Sequence, residues 1–291
     1  MESEQISVTV LLPDMFQTFL KQEALVNPHY EKVKMESEEW LSECFLMMTE
    51  APTGVQRRFA LAMQGYCQGA LIQIDSASKT PSLEEVVLIR QRSAGCKPLY
   101  HLVEYAHGLL IPDEVFDNPV IRELECLGMD MVAISNDILS YRKEQEEGVP
   151  HNMVTVCRSN GMPLQKAFNT VGKLLEQRYW RWDEAEAKVP SWGEETDVQV
   201  RKYIEGIKCI VKANLNWSFK SERYLGSNPA QVRVTRVLRI SAETPVSQDR
   251  MVAVKKHHST LQYNTLNIVR SLIIWLFHLI QSLLSLSLHR E

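Results

Sequence analysis

The chain has 291 residues, which is long enough to bury a sizeable hydrophobic core. Its hydrophobic fraction of 45% and charged fraction of 23% are typical of a globular protein, and 12 glycines and 12 prolines exclude a low-complexity chain. The net charge of -4 argues against nucleic-acid binding, and six scattered cysteines match neither a zinc spacing nor a disulfide framework.

The first residues, MESEQISVTVLLPDMF, carry acids where a secretory signal would have a basic region. We therefore expect a cytoplasmic protein whose cysteines are reduced.

Between about residues 31 and 224 the apolar residues recur at helical spacing, as in the set Phe59, Met63, Tyr66 and Cys67. Proline and glycine breakers stand where such helices should end, for example in APTG at 51–54 and GVP at 148–150. No stretch of strand-like alternation precedes Gly226. The sequence therefore predicts an all-α bundle.

The segment NDILSYRKE, at 136–144, contains the most informative chemistry. Asn136, Ser140 and Glu144 follow one another at four-residue spacing, which places three hard oxygen donors on one helix face. Such donors suit Mg²⁺, and Lys143 beside them is suited to neutralise phosphate charge. The alternative is an ordinary solvated helix start. The apolar run MDMVAIS before the motif favours a buried position.

After Gly226 the composition changes. Residues 227–256 are polar and basic, and VRVTRVLRI at 232–240 predicts a short strand or an extended linker. Residues 271–288 are strongly apolar and about as long as a membrane span. Three interpretations of this tail compete: a membrane anchor, an interfacial helix, or an extension past the natural end.

Four segments in order resemble fungal class I sesquiterpene synthases, over roughly residues 10–240. NDILSYRKEQEEG followed by HNMVTV resembles the metal-binding motif of that family, and WSFKSERYLG at 217–226 its Arg-Tyr signature. VNPHYEKVKMESEEWL at 26–41 resembles an N-terminal segment, and IRQRSAGCKPLYHLVEY at 89–105 the helix with a diphosphate-sensing arginine. The resemblance implies the helical bundle of that family.

The resemblance also implies the site. Asn136, Ser140 and Glu144 match the metal ligands, and the residues that match or suit diphosphate binding are Arg90, Lys143, Arg223 and Tyr224. The implied reaction is Mg²⁺-dependent ionisation and cyclisation of farnesyl diphosphate. The aromatic residues Tyr66, Tyr100, Trp217 and Phe219 are candidates to line the apolar pocket, although core packing is the commoner role.

One expected motif of the family, an aspartate-rich DDxxD or DExxD, is missing. Aspartate is absent from Pro28 to Ile74, and the chain resembles a bundle shortened near residues 45–49. The similar string DEVFD at 113–117 is interpreted as a helix cap rather than a metal site. A mis-spliced gene model or a degenerate copy explains such a loss.

We therefore predict a terpene synthase domain at 1–228 and a basic linker with an apolar tail at 229–291. The function is that of a sesquiterpene synthase using Mg²⁺ and farnesyl diphosphate. The alternative is an inactive prenyl-diphosphate-binding or scaffold protein. Membrane contact through residues 271–288 is the alternative to a purely cytoplasmic location.

Overall fold

In the computed structural model the chain is described for residues 48–75, 81–220, 222–227, 229–238 and 240. The regular elements of this part are all helices, which confirms the all-α prediction. They are α1 Thr53–Asp75, α2 Leu83–Ser93, α3 Cys96–Ala106, α4 Asp113–Asp117, α5 Pro119–Glu147, α6 Met153–Ser159, α7 Leu164–Glu186, α8 Glu194–Ser218, α9 Glu222–Leu225 and α10 Pro229–Thr235.

The longest described helix, α5, packs against α2, α7 and α8 and organises the bundle. It begins at Asn118, whose side chain accepts a hydrogen bond from the Val120 amide, and Pro119 suits its first turn. It ends at Gly148, whose φ of 72° is the left-handed conformation that glycine adopts without strain. Residues 128–135 are all buried. The helix is therefore a core element rather than an amphipathic surface helix.

Two apolar clusters surround α5. Fully burying a leucine or isoleucine contributes about 1.5–3 kcal/mol, so these clusters supply much of the stability. One joins α5 to α1, α3 and α8 through residues that include Val55, Leu99, Val103, Leu124 and Ile207. The other joins it to α2, α6 and α7 through residues that include Val86, Ile134, Val154 and Val171.

A buried ionic cluster fastens α1 to α3. Arg58 of α1 pairs with Glu104 of α3, which is 0% exposed, and also with the exposed Asp113 at the start of α4. The Nδ1 atom of His101 lies 2.7 Å from Oε1 of Glu104. The Arg58 guanidinium also lies 4.1 Å from the ring centroid of Phe116. The buried Glu104 carboxylate therefore depends on two partners.

The string DEVFD forms α4, and its acids lie in or near the first turn as predicted. The capping part of that prediction is wrong, because the N-cap is Pro112 and no side chain caps the helix. Asp113 instead pairs with Arg57 and Arg58. Asp117 pairs with Arg122. These contacts are structural ion pairs.

The short strand that was one of two predictions for 232–240 is wrong. Val232–Thr235 belong to α10, and residues 236–238 that follow have no regular structure. Val232 and Leu238 pack against Tyr224 and Leu225, so tertiary contact overrides the β propensity of Val232. The domain boundary at 228 stays a prediction.

Within the described ranges, no helix is both long and apolar enough to cross a bilayer. The tail at 271–288 lies outside those ranges, as do residues up to Met47, which include the segment at 26–41 and part of the predicted shortening near 45–49.

Helices α3 and α8 approach closely at Gly206. A Cβ atom added there would lie 2.3 Å from a methyl carbon of Val103, whose branched side chain has little rotamer freedom. Gly206→Ala is therefore expected to destabilise the fold by about 1–3 kcal/mol. Denaturant unfolding measures this change.

Gly172 of α7 is the matched control, because a Cβ atom added there meets no atom within 4 Å among the described residues. Gly172→Ala is expected to be neutral or to stabilise by up to about 1 kcal/mol, since alanine is the better helix former. Equal effects of the two substitutions would contradict the close α3–α8 contact.

Candidate functional site

The predicted metal ligands lie in the C-terminal half of α5, well inside the helix. The alternative of a solvated helix start is wrong, because Asn136 follows a buried stretch and Ser140 is 0% exposed. Ser140 Oγ has no hydrogen-bond partner among the described residues. A buried hydroxyl without a partner is costly and indicates an atom that a ligand can satisfy.

Arg90 reaches this face from α2. Its side chain is buried, and Nη2 lies 2.8 Å from Oδ1 of Asp137 and donates a 3.0 Å hydrogen bond to Oδ1 of Asn136. Burial acts to lower the pKa of Arg90, but the Asp137 and Glu144 carboxylates outweigh it and raise the pKa. The guanidinium therefore stays charged. Its Nε has no hydrogen-bond partner in the described part of the chain.

Tyr224 of α9 completes a hydrogen-bonded chain of three predicted residues. Nδ2 of Asn136 donates to its hydroxyl at 3.1 Å. Nη2 of Arg142 donates to its carbonyl oxygen at 3.3 Å and so ties α9 to α5. Burial raises the pKa of Tyr224, which keeps the phenol protonated. Residues far apart in sequence thus meet through hydrogen bonds.

Lys143 and Arg223 are the chain neighbours of Glu144 and Tyr224. Lys143 Nζ pairs with Glu147 at 2.5 Å, one turn further along α5. The guanidinium carbon of Arg223 lies 5.7 Å from the ring centroid of Tyr224. Two further cations therefore flank the site.

Sequence reasoning did not single out Asp137. Its side chain is 0% exposed and sits between Arg90 and α6, where Oδ2 accepts the Met153 amide at 2.8 Å. Burial raises the pKa of Asp137 to about 7, while the Arg90 charge acts in the opposite direction. The apolar run before the motif was the available signal, since it places Asp137 in a buried part of α5.

Two residues before α6 were also missed. Asn152 is 0% exposed, and its Nδ2 donates to Oε2 of Glu144 at 2.9 Å and to the Asp137 carbonyl at 2.7 Å. His151 beside it is buried, and burial lowers its pKa to about 4, so its imidazole is neutral near pH 7. An asparagine directly before an apolar run is a helix-cap signal, but a cap alone does not predict contact with Glu144.

The donor set at 136, 140 and 144 fits a hard divalent cation. An amide oxygen, a hydroxyl and a carboxylate are ligands that Mg²⁺ accepts, with water or substrate oxygens completing the shell. The unpartnered Ser140 Oγ supports this fit. Among the described residues, no group of three or more His, Cys, Asp or Glu side chains could hold a metal ion. In DEVFD, Asp113 and Asp117 are paired with arginines.

The four aromatic residues that were candidates to line the pocket lie in different parts of the fold. Tyr100 is fully buried in the core, with its hydroxyl near the Glu125 carbonyl, so core packing is its role. Trp217 contacts Tyr224 edge-on at 5.6 Å between centroids and so lies beside the site. Phe219 packs against the same small apolar cluster as Tyr224. Tyr66 of α1 is half-buried, and burial raises its pKa.

Known proteins resemble this chain in sequence and in fold. A family model described as terpene synthase family 2, C-terminal metal binding, matches residues 18–181. Sesquiterpene synthase 1 of Postia placenta is 39% identical over 223 residues, which are 74% of this chain and 65% of that protein. Silphinene synthase peniA of Penicillium patulum is 38% identical over 188 residues, 64% of this chain and 50% of that one. The chain thus spans one half to two thirds of the length of these curated relatives.

Solved structures show the same fold at low sequence identity. An α-eudesmol synthase superposes with a TM-score of 0.59 at 19% identity, covering 74% of this chain and 79% of that one. A linalool/nerolidol synthase from Streptomyces clavuligerus has a TM-score of 0.58 at 18% identity, covering 63% and 64%. The helical bundle is that of class I terpene synthases.

Proposed function

Because the chain belongs to the terpene synthase family whose metal-binding model it matches, we propose that it is a sesquiterpene synthase that ionises and cyclises farnesyl diphosphate. The observation that carries the proposal is the meeting of Arg90, Asn136 and Tyr224, from α2, α5 and α9, beside the unpartnered Ser140 hydroxyl. The choice of a sesquiterpene substrate is supported by the relatives named as sesquiterpene synthases.

Mg²⁺ is the proposed cofactor, and Asn136, Ser140 and Glu144 are its proposed ligands. When bound, the ion supplies positive charge that stabilises the departing diphosphate. Glu144 is the only carboxylate of the three, and the electrostatic effect of its charge extends to Arg90 and Tyr224. One carboxylate with two neutral oxygens leaves the site able to accept an anionic substrate.

Arg90, Lys143, Arg223 and Tyr224 are the proposed diphosphate-binding residues. The Arg90 Nε donor is buried without a hydrogen-bond partner among the described residues, although Asp137 already holds the other side of the guanidinium. A guanidinium fixed in this way presents a donor to phosphate oxygens at little entropic cost. The Tyr224 hydroxyl adds a neutral donor at the same place.

The hydrocarbon part of the substrate requires a surface that excludes water and tolerates positive charge. Trp217 is the proposed aromatic face nearest the diphosphate end, since its indole ring packs on Tyr224. Ionisation breaks the carbon–oxygen bond of the allylic diphosphate, and ring closure followed by proton loss yields the hydrocarbon. A cytoplasmic location is part of the proposal, and membrane contact through 271–288 remains a prediction.

The test is incubation of the purified chain with farnesyl diphosphate and Mg²⁺, followed by gas chromatography of extracted products. We expect a cyclic sesquiterpene that disappears when EDTA replaces Mg²⁺. Geranyl and geranylgeranyl diphosphates serve as chain-length controls. Substrate binding without product would support the inactive binding protein instead, and product that persists in EDTA would contradict the metal site.

A further inference from the structure

Asn152, which lies directly before α6, uses both ends of its side-chain amide. Its Oδ1 accepts hydrogen bonds from the Val154 and Thr155 amides, at 2.9 and 3.3 Å, and so caps α6. Its Nδ2 donates to Oε2 of Glu144 at 2.9 Å and to the Asp137 carbonyl at 2.7 Å. The side chain thus joins the start of α6 to two turns of α5.

Capping alone does not explain this arrangement. Serine, threonine and aspartate cap helices as well as asparagine does, because a cap needs only an acceptor oxygen. Asparagine differs from these residues because its acceptor Oδ1 and its donor Nδ2 are separate atoms, so that it reaches α6 with one and α5 with the other. The Nδ2 amide of Asn152 is therefore available for a second role. It donates to Glu144, the carboxylate among the three proposed metal ligands.

We infer that Asn152 is a positioning residue for Glu144. It holds Oε2 of the carboxylate in a fixed hydrogen bond and leaves Oε1 as the donor to the proposed cation. This inference rests on the proposed function. Hydrogen bonds from neighbouring residues commonly orient a carboxylate ligand and tune its affinity for a metal.

The surrounding contacts make Asn152 rigid enough for this role. The side chain is 0% exposed, so water does not compete for its amide. The adjacent Met153 amide donates to Oδ2 of Asp137, whose Oδ1 pairs with Arg90. The start of α6 therefore fixes the proposed metal carboxylate and the proposed diphosphate-binding arginine together.

The test compares Asn152→Ser and Asn152→Asp with wild type. Both substitutions keep an oxygen that can cap α6 and remove the Nδ2 amide that donates to Glu144. The serine side chain is neutral, and the aspartate side chain has the volume of asparagine. Binding of Mn²⁺ alone is measured from the electron paramagnetic resonance signal of the free ion. We expect the Kd for Mn²⁺ to rise about 10- to 100-fold in both variants.

Asn118→Ser and Asn118→Asp are the matched controls. Asn118 caps α5 through the same contact, with Oδ1 accepting the Val120 amide at 2.9 Å, about five helical turns from Asn136. Thermal unfolding of all four variants separates loss of fold from loss of affinity. The controls are expected to bind Mn²⁺ as wild type does, and if Asn152→Ser does not fold, Asn152→Asp decides.

Wild-type affinity in a folded Asn152 variant would overturn the inference alone. Absence of Mn²⁺ binding by the wild-type protein would overturn the proposed metal site, and the inference with it.

Discussion

Glu144→Gln is expected to lower turnover of farnesyl diphosphate at least about 100-fold. The turnover that remains is expected not to increase with Mg²⁺ concentration. Glutamine conserves the shape of the side chain and an oxygen that can accept from Asn152 Nδ2, 2.9 Å away. It removes the only negative charge of the proposed ligand set. Since loss of a residue that merely supports a ligand costs about 10- to 100-fold, loss of the charged ligand itself should cost more. Product formation across a Mg²⁺ titration measures the effect.

Glu146→Gln is the control for this prediction, because Glu146 is exposed and lies only two residues away on α5. It should retain wild-type turnover and metal dependence. A Glu144→Gln variant that turned over normally at low Mg²⁺ would show that residue 144 is not a ligand.

Arg58→Met is expected to destabilise the fold by about 3–5 kcal/mol, a large part of the stability of a typical domain. The substitution conserves an unbranched side chain but removes the charge paired with Glu104, which is 0% exposed. His101 alone then faces the buried carboxylate. Urea unfolding monitored by circular dichroism measures the loss.

Arg57→Met supplies the comparison, because Arg57 is the preceding residue and its ion pair with Asp113 lies at the surface. The two side chains are 56% and 52% exposed, so water screens their attraction. A loss below about 1 kcal/mol is expected. Similar losses in the two variants would contradict the assignment of Glu104 as the buried charge that Arg58 compensates.

Much of the fold was predictable, because helical periodicity and breakers report local structure directly. The end of α5 at Gly148 is an example, since glycine there takes a φ of 72° after a long periodic run. The burial of Asp137 and Ser140 was predictable in part as well, because an apolar run leads into the motif. In contrast, Val232 has high β propensity, and its helical state depends on packing against Tyr224 and Leu225 that periodicity does not reveal.

The candidate site was predictable as a set of residues rather than as a network. Asn136, Ser140 and Glu144 follow from spacing, and Arg90 and Tyr224 from resemblance. Sequence reasoning did not find that Asn136 bridges Arg90 and Tyr224, because those residues are 46 and 88 positions away. Asp137 and Asn152 were missed for a related reason: each resembles a helix-terminus residue locally, and only tertiary packing buries it.

Calorimetric titration of the wild-type protein with inorganic diphosphate, with and without Mg²⁺, tests the central claim most directly. That claim is that α2, α5 and α9 together form one metal–diphosphate site. We predict saturable binding that requires Mg²⁺ and that weakens in Glu144→Gln and in Arg90→Ala. Binding that is equally strong without Mg²⁺ and unaffected by both substitutions, or no binding at millimolar diphosphate, would contradict it.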